Sequence, residues 1–174
     1  MYKYRYTLLL LSLAMLGCVD EHSSQIESKR TQLLAHCEST DRYKDNQIIG
    51  TWGLYPDPNT GYFSFTAYTF TFYEDGTFDM LINGFTDAIS LEDPCGYTWK
   101  HYIHGGLFNN GDQKYFCGIY TDEKYKEPAA NCNGDQFYHQ MFTVDDIKNE
   151  QLTLIFYETH NEEEYTYEVV LTKE

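Results

Sequence analysis

The side chains able to do chemistry are few and scattered. His101 and His104 lie three apart, so on a strand they point to opposite faces and cannot share a metal. Glu158, His160 and Glu162 alternate, and on one face they would offer two carboxylates and an imidazole to a cation. The stretch from Thr159 to Glu164 also reads as a hairpin tip, and a solvated turn is the preferred expectation, with no metal. His36 and Cys37 are chain neighbours, a poor geometry for a nucleophile and its base, whose side chains must meet at hydrogen-bond distance. The chain contains no G-x-S-x-G elbow, no H-E-x-x-H pair and no phosphate-cradling G-x-x-x-x-G-K-[ST] loop. No cofactor is implied, and the expectation is a protein that is not an enzyme.

Cysteine carries more information. Basic Lys3 and Arg5 precede a nearly continuous apolar run from Thr7 to Gly17, the layout of a secretory signal. The run is about half the roughly 20 apolar residues a membrane-crossing helix needs, so residues 1–17 are expected to be cleaved. Met15-Leu16-Gly17-Cys18 resembles a bacterial lipobox. That resemblance implies acylation of Cys18, which becomes the new N-terminus. Val19 after it is similar to the pattern that permits sorting to an outer membrane, facing the periplasm or the cell surface.

Cys37, Cys95, Cys117 and Cys132 then remain, an even number that in an exported chain suggests two disulfides. Three pairings are open. The preferred one joins Cys117 to Cys132, which flank a turn-rich segment between strand-like runs, and leaves Cys37 with Cys95 to staple the N-terminal segment to the domain.

The 174 residues suit one domain, and 17 Tyr, 11 Phe and 2 Trp against 4 Pro favour the pleated surface of a sheet. Acidic residues number 27 and basic ones 12. Without residues 1–17 the basic count falls by two, and the formal charge moves from -15 to -17. Such a surface repels phosphate, which excludes nucleic acid as a partner, and it also repels anionic headgroups. Membrane attachment would have to come from acyl chains, at about 0.8 kcal/mol per buried methylene. A cationic protein is the partner that the charge would attract.

Residues 19 to about 30 are polar and read as a tether, and Ile26, Leu33, Leu34 and Cys37 recur at near-helical spacing, predicting a short helix over 26–37. From Ile48 the grammar changes. Tyr68, Phe70 and Phe72 alternate with Thr69, Thr71 and Tyr73; Glu74-Asp75-Gly76-Thr77 follows, then Phe78, Met80 and Ile82, a hairpin with an Asp-Gly turn. Further runs at 97–103, 115–120, 137–142, 152–156 and 165–171, with 47–55, bring the strands to eight. Asn110-Gly111-Asp112 and Asn133-Gly134-Asp135 read as ordinary turns. The expectation is an all-β, single eight-stranded antiparallel up-and-down barrel over residues 47–174, after a leader (1–17) and a lipidated tether with a short helix (18–46).

Ile48-Ile49-Gly50-Thr51-Trp52 resembles the G-x-W motif of lipocalins and bacterial lipocalin-like domains. The Phe70–Phe78 hairpin, Gln151 to Leu154 and a closing strand from Tyr165 to Lys173 are similar to the running order of those families. The resemblance implies that Trp52 plugs the closed end of the barrel. True lipocalins pack a late arginine on that tryptophan, whereas Arg30 and Arg42 both precede the motif here.

The aromatic row admits two readings. Tyr68, Phe70, Phe72, Phe78 and Met80, with Trp52, either fill the barrel as a core or line an apolar pocket for a small apolar or amphipathic ligand. Two functions follow. One is a lipid-anchored, non-catalytic binding protein in the cell envelope. The other is a protein-interaction lipoprotein whose acidic face or loops engage, for example, a cationic hydrolase such as lysozyme.

Overall fold

The computed structural model describes residues 23–37, 41–55, 64–86, 95–111, 113–160 and 163–174. Eight antiparallel strands close in sequence order into one up-and-down barrel. They are β1 (Gly50–Leu54), β2 (Ser64–Phe72), β3 (Thr77–Thr86), β4 (Thr98–Asn110), β5 (Gln113–Thr121), β6 (Phe137–Lys148), β7 (Gln151–His160) and β8 (Glu163–Lys173). The closing seam is short, with Trp52 opposite Lys173 and Gly53 opposite Thr172. One helix, α1, covers residues 23–34, three residues earlier than its sequence pattern predicts, and residues 18–22 of the tether lie outside the described residues. No helix among the described residues is long and apolar enough to cross a membrane.

Period-two alternation decides what points inward. Along β2 the pattern turns Tyr68, Phe70 and Phe72 to the interior, opposite Ile82, Met80 and Phe78 on β3. The hairpin between them turns at Asp75-Gly76. Gly76 has φ +80°, and a Cβ there would come within 2.9 Å of the Tyr43 carbonyl, so the turn needs glycine. Asp75 accepts from the Thr77 amide and hydroxyl and fixes the turn from the other side.

Phe116 of β5 sits at the centre of the interior. Its ring lies 4.3 Å from Phe142, 4.9 Å from Phe78, 5.6 Å from Phe70, 6.0 Å from Phe156 and 6.2 Å from Phe72, centroid to centroid. Leu152, Leu154, Val169 and Leu171 complete one contiguous core. Offset and edge-on ring pairs of this kind add about 0.5–1.5 kcal/mol each beyond the area they bury.

One end of the barrel is sealed. Tyr43 donates its amide to the Leu107 carbonyl, Asp45 organises a turn by accepting from the Gln47 amide, and Ile48 is driven into the core at 2% exposure. Trp52 closes over it, its indole N–H bonded to the Ile48 carbonyl at 2.6 Å. Lys173, at the end of β8, stands 5.3 Å above the Trp52 ring.

Both disulfides form, with a correction to the preferred pairing: Cys37 bonds Cys117, and Cys95 bonds Cys132. The reason is parity. Phe116 and Tyr120 point inward, so Cys117 points out, into a patch where Phe108, Tyr115 and Met141 meet the segment that ends α1. The first bridge therefore clamps the helix to the outside of the barrel. The second joins the segment before β4 to the one before β6, at the opposite end from the plug.

Candidate functional site

At the end opposite the Trp52 plug the interior changes character. Above the phenylalanine core stand Tyr68, Tyr120, Tyr138 and Tyr167, with Gln140 and Glu158 on the same inward parity. The floor is apolar and stacked: Tyr68 on Phe70 at 6.0 Å, and Tyr167 on Phe156 at 5.2 Å. Tyr120 meets Tyr138 edge-on at 6.2 Å.

The hydroxyls converge on one another. Tyr167 donates to Glu158 Oε1 at 3.1 Å, and the Tyr68 and Tyr167 hydroxyls are hydrogen-bonded. Burial pushes Tyr138 well above the ordinary phenol range, reinforced by Tyr167, Tyr68, Tyr120 and Glu158. Burial first, then the Glu158 charge, raises Tyr68; burial, then Tyr68 and Glu158, raises Tyr167; burial, then the Asp135 charge, raises Tyr120 against a lowering hydrogen bond from Asn131. All four are neutral at physiological pH, and each offers an O–H donor and a lone-pair acceptor. Among the described residues no lysine or arginine pairs with Glu158.

Access is lateral. The β6–β7 ladder runs up to Met141 opposite Tyr157 and stops, although both strands continue. The gap is a cleft of about 430 Å³ lined by His139, Gln140, Met141, Tyr157, Glu158 and Thr159. Ligand sites commonly span roughly 300–1,000 Å³.

His101 and Trp99 of β4 point inward at the same end. The Trp99 ring lies across Gly84, where a Cβ would meet it at 2.1 Å, and it stacks on His101 at 4.7 Å. His101 Nε2 lies 3.2 Å from Cys132 Sγ and accepts from the Cys132 amide at 3.4 Å. Burial lowers the His101 pKa, in keeping with an imidazole that accepts at Nε2.

His104 points outward, as the spacing from His101 requires, and its Nδ1 is 2.7 Å from Asp79 Oδ1. Asp79 also accepts from the Tyr73 hydroxyl at 2.7 Å. This trio braces the outer face of β3 and β4. His36 Nε2 stands 3.9 Å from Cys37 Sγ and 3.4 Å from Cys117 Sγ, with its ring against Phe137. The His36, Cys37, Cys117 and the Cys95, His101, Cys132 groupings have metal-like proximity, but their sulfurs are bonded to each other and are not thiolates.

Of the residues expected to line a pocket, Trp52, Phe70, Phe72, Phe78 and Met80 are 0–2% exposed and pack on one another as core. Tyr68 alone is partly buried, at the edge of that core. Glu158 lies near it, but the His160 side chain and Glu162 lie outside the described residues, as do Cys18, the 1–17 leader and Asp112. Sequence reasoning missed Tyr120, Tyr138, Gln140 and Tyr167 as site residues. The available signal was their inward parity combined with a polar atom, in strands whose core positions are Phe116, Phe142, Leu152, Leu154, Phe156, Val169 and Leu171.

No family model, no curated protein and no solved structure matches this chain.

Proposed function

We propose that the protein is a non-catalytic binding protein that takes an amphipathic molecule at the end of its barrel opposite the Trp52 plug. The apolar part rests on Phe70, Phe156 and the stacked tyrosine rings, and the polar part meets the four phenols, Gln140 and Glu158. The observation that carries this reading is the convergence of Tyr68, Tyr138 and Tyr167 with Glu158 above a sealed core, beside a cleft of about 430 Å³. A barrel whose centre is filled by Phe116 has no room for a long ligand along its axis, so the occupant is held at the end and not swallowed.

The same reading sets the protein in a bacterial envelope, cut before Cys18, acylated there, and facing the periplasm or the cell surface of an outer membrane. Support comes from the lipobox-like Met15–Cys18 run and from four further cysteines in two disulfides, a usage typical of oxidising compartments. Kinship with lipocalin-like domains belongs to the proposal as well. Trp52 as the end plug is in its favour, and Lys173 over the Trp52 ring supplies the cation that the missing late arginine would give.

The test is native mass spectrometry of protein expressed with its leader and extracted in mild detergent. Expected are a mass increment of lipid abolished by Cys18→Ser, and a separate non-covalent adduct diminished by Tyr138→Phe and Glu158→Gln. A bare chain mass, with no adduct from any extraction, overturns the reading.

A further inference from the structure

The cleft beside the tyrosines is bounded by two sheet edges. β6 continues above the ladder through residues 137–140, still paired with β5 up to Phe137 opposite Ile119. β7 continues through 158–160, still paired with β8 up to His160 opposite Glu163. Each segment thus has one satisfied and one unpaired edge, and the unpaired edges face each other across the cleft. Unpaired edges are usually blunted by proline, lysine or a bulge, because they template pairing with another chain. Phe137, Tyr138, His139 and Gln140 include none of these devices, the β6 bulge lies lower, between Val144 and Asp146, and on the β7 edge the inward-parity Glu158 is a charge that a basic guest would neutralise. Among the described residues Gln140 closes the top of the ladder, its side-chain amide donating to the Tyr157 carbonyl at 2.8 Å and to the Met141 carbonyl at 3.3 Å.

We infer that the cleft receives an extended basic peptide segment of a partner protein, added as a short strand between β6 and β7. This inference rests on the binding reading and names its occupant. Two edges of three and four residues hold a strand of that length, about 13 Å long at roughly 3.3 Å per residue. Because β6 and β7 are antiparallel, the guest runs parallel to one and antiparallel to the other. Main-chain bonds give such additions their affinity, and alternate side-chain positions give the specificity.

Charge and parity specify the guest. Inward-pointing guest side chains meet Tyr138, Gln140 and Glu158, two neutral groups and a carboxylate that accepts from Tyr167 and, among the described residues, has no cationic partner. Glu163 and Glu164 are exposed at the adjoining end of β8. Lysine or arginine fits there, its stem on the tyrosine rings. Outward-pointing side chains meet His139, Met141, Tyr157 and Thr159 and favour apolar residues. The matching pattern alternates basic and apolar residues, and an acidic guest is repelled by a chain of formal charge -15.

The experiment is amide hydrogen exchange on the full chain with four probes: acetyl-(Lys-Val)3-amide, the same peptide N-methylated at alternate residues, acetyl-(Glu-Val)3-amide and dodecylamine. Expected is binding of the first peptide alone among the three, with exchange slowed about tenfold or more at amides within 137–140 and 158–160, and affinity weakened about tenfold or more by Glu158→Lys. Equal binding of the N-methylated peptide, or binding without protection of those amides, overturns strand addition. Dodecylamine binding without peptide binding overturns this inference and leaves the amphipathic-ligand reading standing. Binding of neither overturns both.

Discussion

Phe116→Ala strikes the barrel at its axis. The side chain is fully buried, and five phenylalanine rings lie within 6.2 Å of its centroid, contributed by β2, β3, β6 and β7. Phe→Ala in a core costs about 3–5 kcal/mol, and the loss is largest where the surroundings cannot collapse. A closed ring of strands, clamped by two disulfides, leaves those rings little freedom to move inward, so the upper part of that range is expected. For a domain of this size each kcal/mol corresponds to roughly 3–4 °C, or a fall in Tm of about 10–20 °C. Urea unfolding followed by tryptophan fluorescence, with the disulfides intact, reads the loss directly. The m value stays the same, because the surface exposed on unfolding is nearly unchanged. Phe137→Ala is the control: at 47% exposure it costs under about 1 kcal/mol. The void left by Phe116→Ala is dry and apolar, so benzene binds it and raises the Tm of the variant only. A cost below about 1.5 kcal/mol, or equal stabilisation of the parent protein by benzene, refutes a filled barrel centre.

Removing Cys37–Cys117 by paired alanines, which opens a separation of 80 residues, costs about 4.5 kcal/mol on chain-entropy grounds; removing Cys95–Cys132, separation 37, costs about 4 kcal/mol, and denaturant midpoints rank the two. Lys173→Gln loses about 0.5–1 kcal/mol through the Trp52 contact, whereas Lys173→Arg retains it; equal losses for both variants would contradict a cation on the ring. His101 has its pKa lowered from 6.5 by burial, so the unfolded chain protonates first as pH falls through 6.5. The His101 contribution is constant above that pH and declines below it, and His101→Gln makes the urea-midpoint profile less steep between pH 7.5 and pH 5. Tyr68, Tyr120 and Tyr138 have folded pKa values above the ordinary 10.0, so their contribution is complete below pH 10 and is lost as pH rises beyond it. Absorbance at 295 nm should therefore show a class of tyrosines that ionises only with unfolding.

The barrel was legible because its strands obey a period of two where one face is covered: Tyr68, Phe70 and Phe72 against Thr69 and Thr71 leave no other reading, and Asp75-Gly76 fixes where the chain reverses. β5 was not legible in the same way. From Tyr115 to Thr121 both of its faces are buried, one by the core and the other, at Tyr115 and Cys117, against the segment that carries Cys37, so alternation disappears from the residue types. Phe116 gave no sign of being the axial ring, and Cys117 gave none of facing the helix. The disulfide pairing went astray for that reason: proximity along the chain favoured Cys132, but parity turned Cys117 away from it. The open seam left no mark in the sequence either, since Phe137–Gln140 and Glu158–His160 continue the strand pattern and their parting depends on where β6 and β7 each follow their other neighbour.

The most direct measurement is an NMR titration of protein carrying ¹³C-labelled tyrosine and phenylalanine rings, with dodecylamine as the probe. Saturable shifts confined to Tyr68, Tyr120, Tyr138 and Tyr167, with Phe116 and Phe142 unmoved, are the expected result. Shifts at Phe116 and Phe142, or changes only at exposed rings such as Tyr55 and Tyr97, would contradict binding above a packed core.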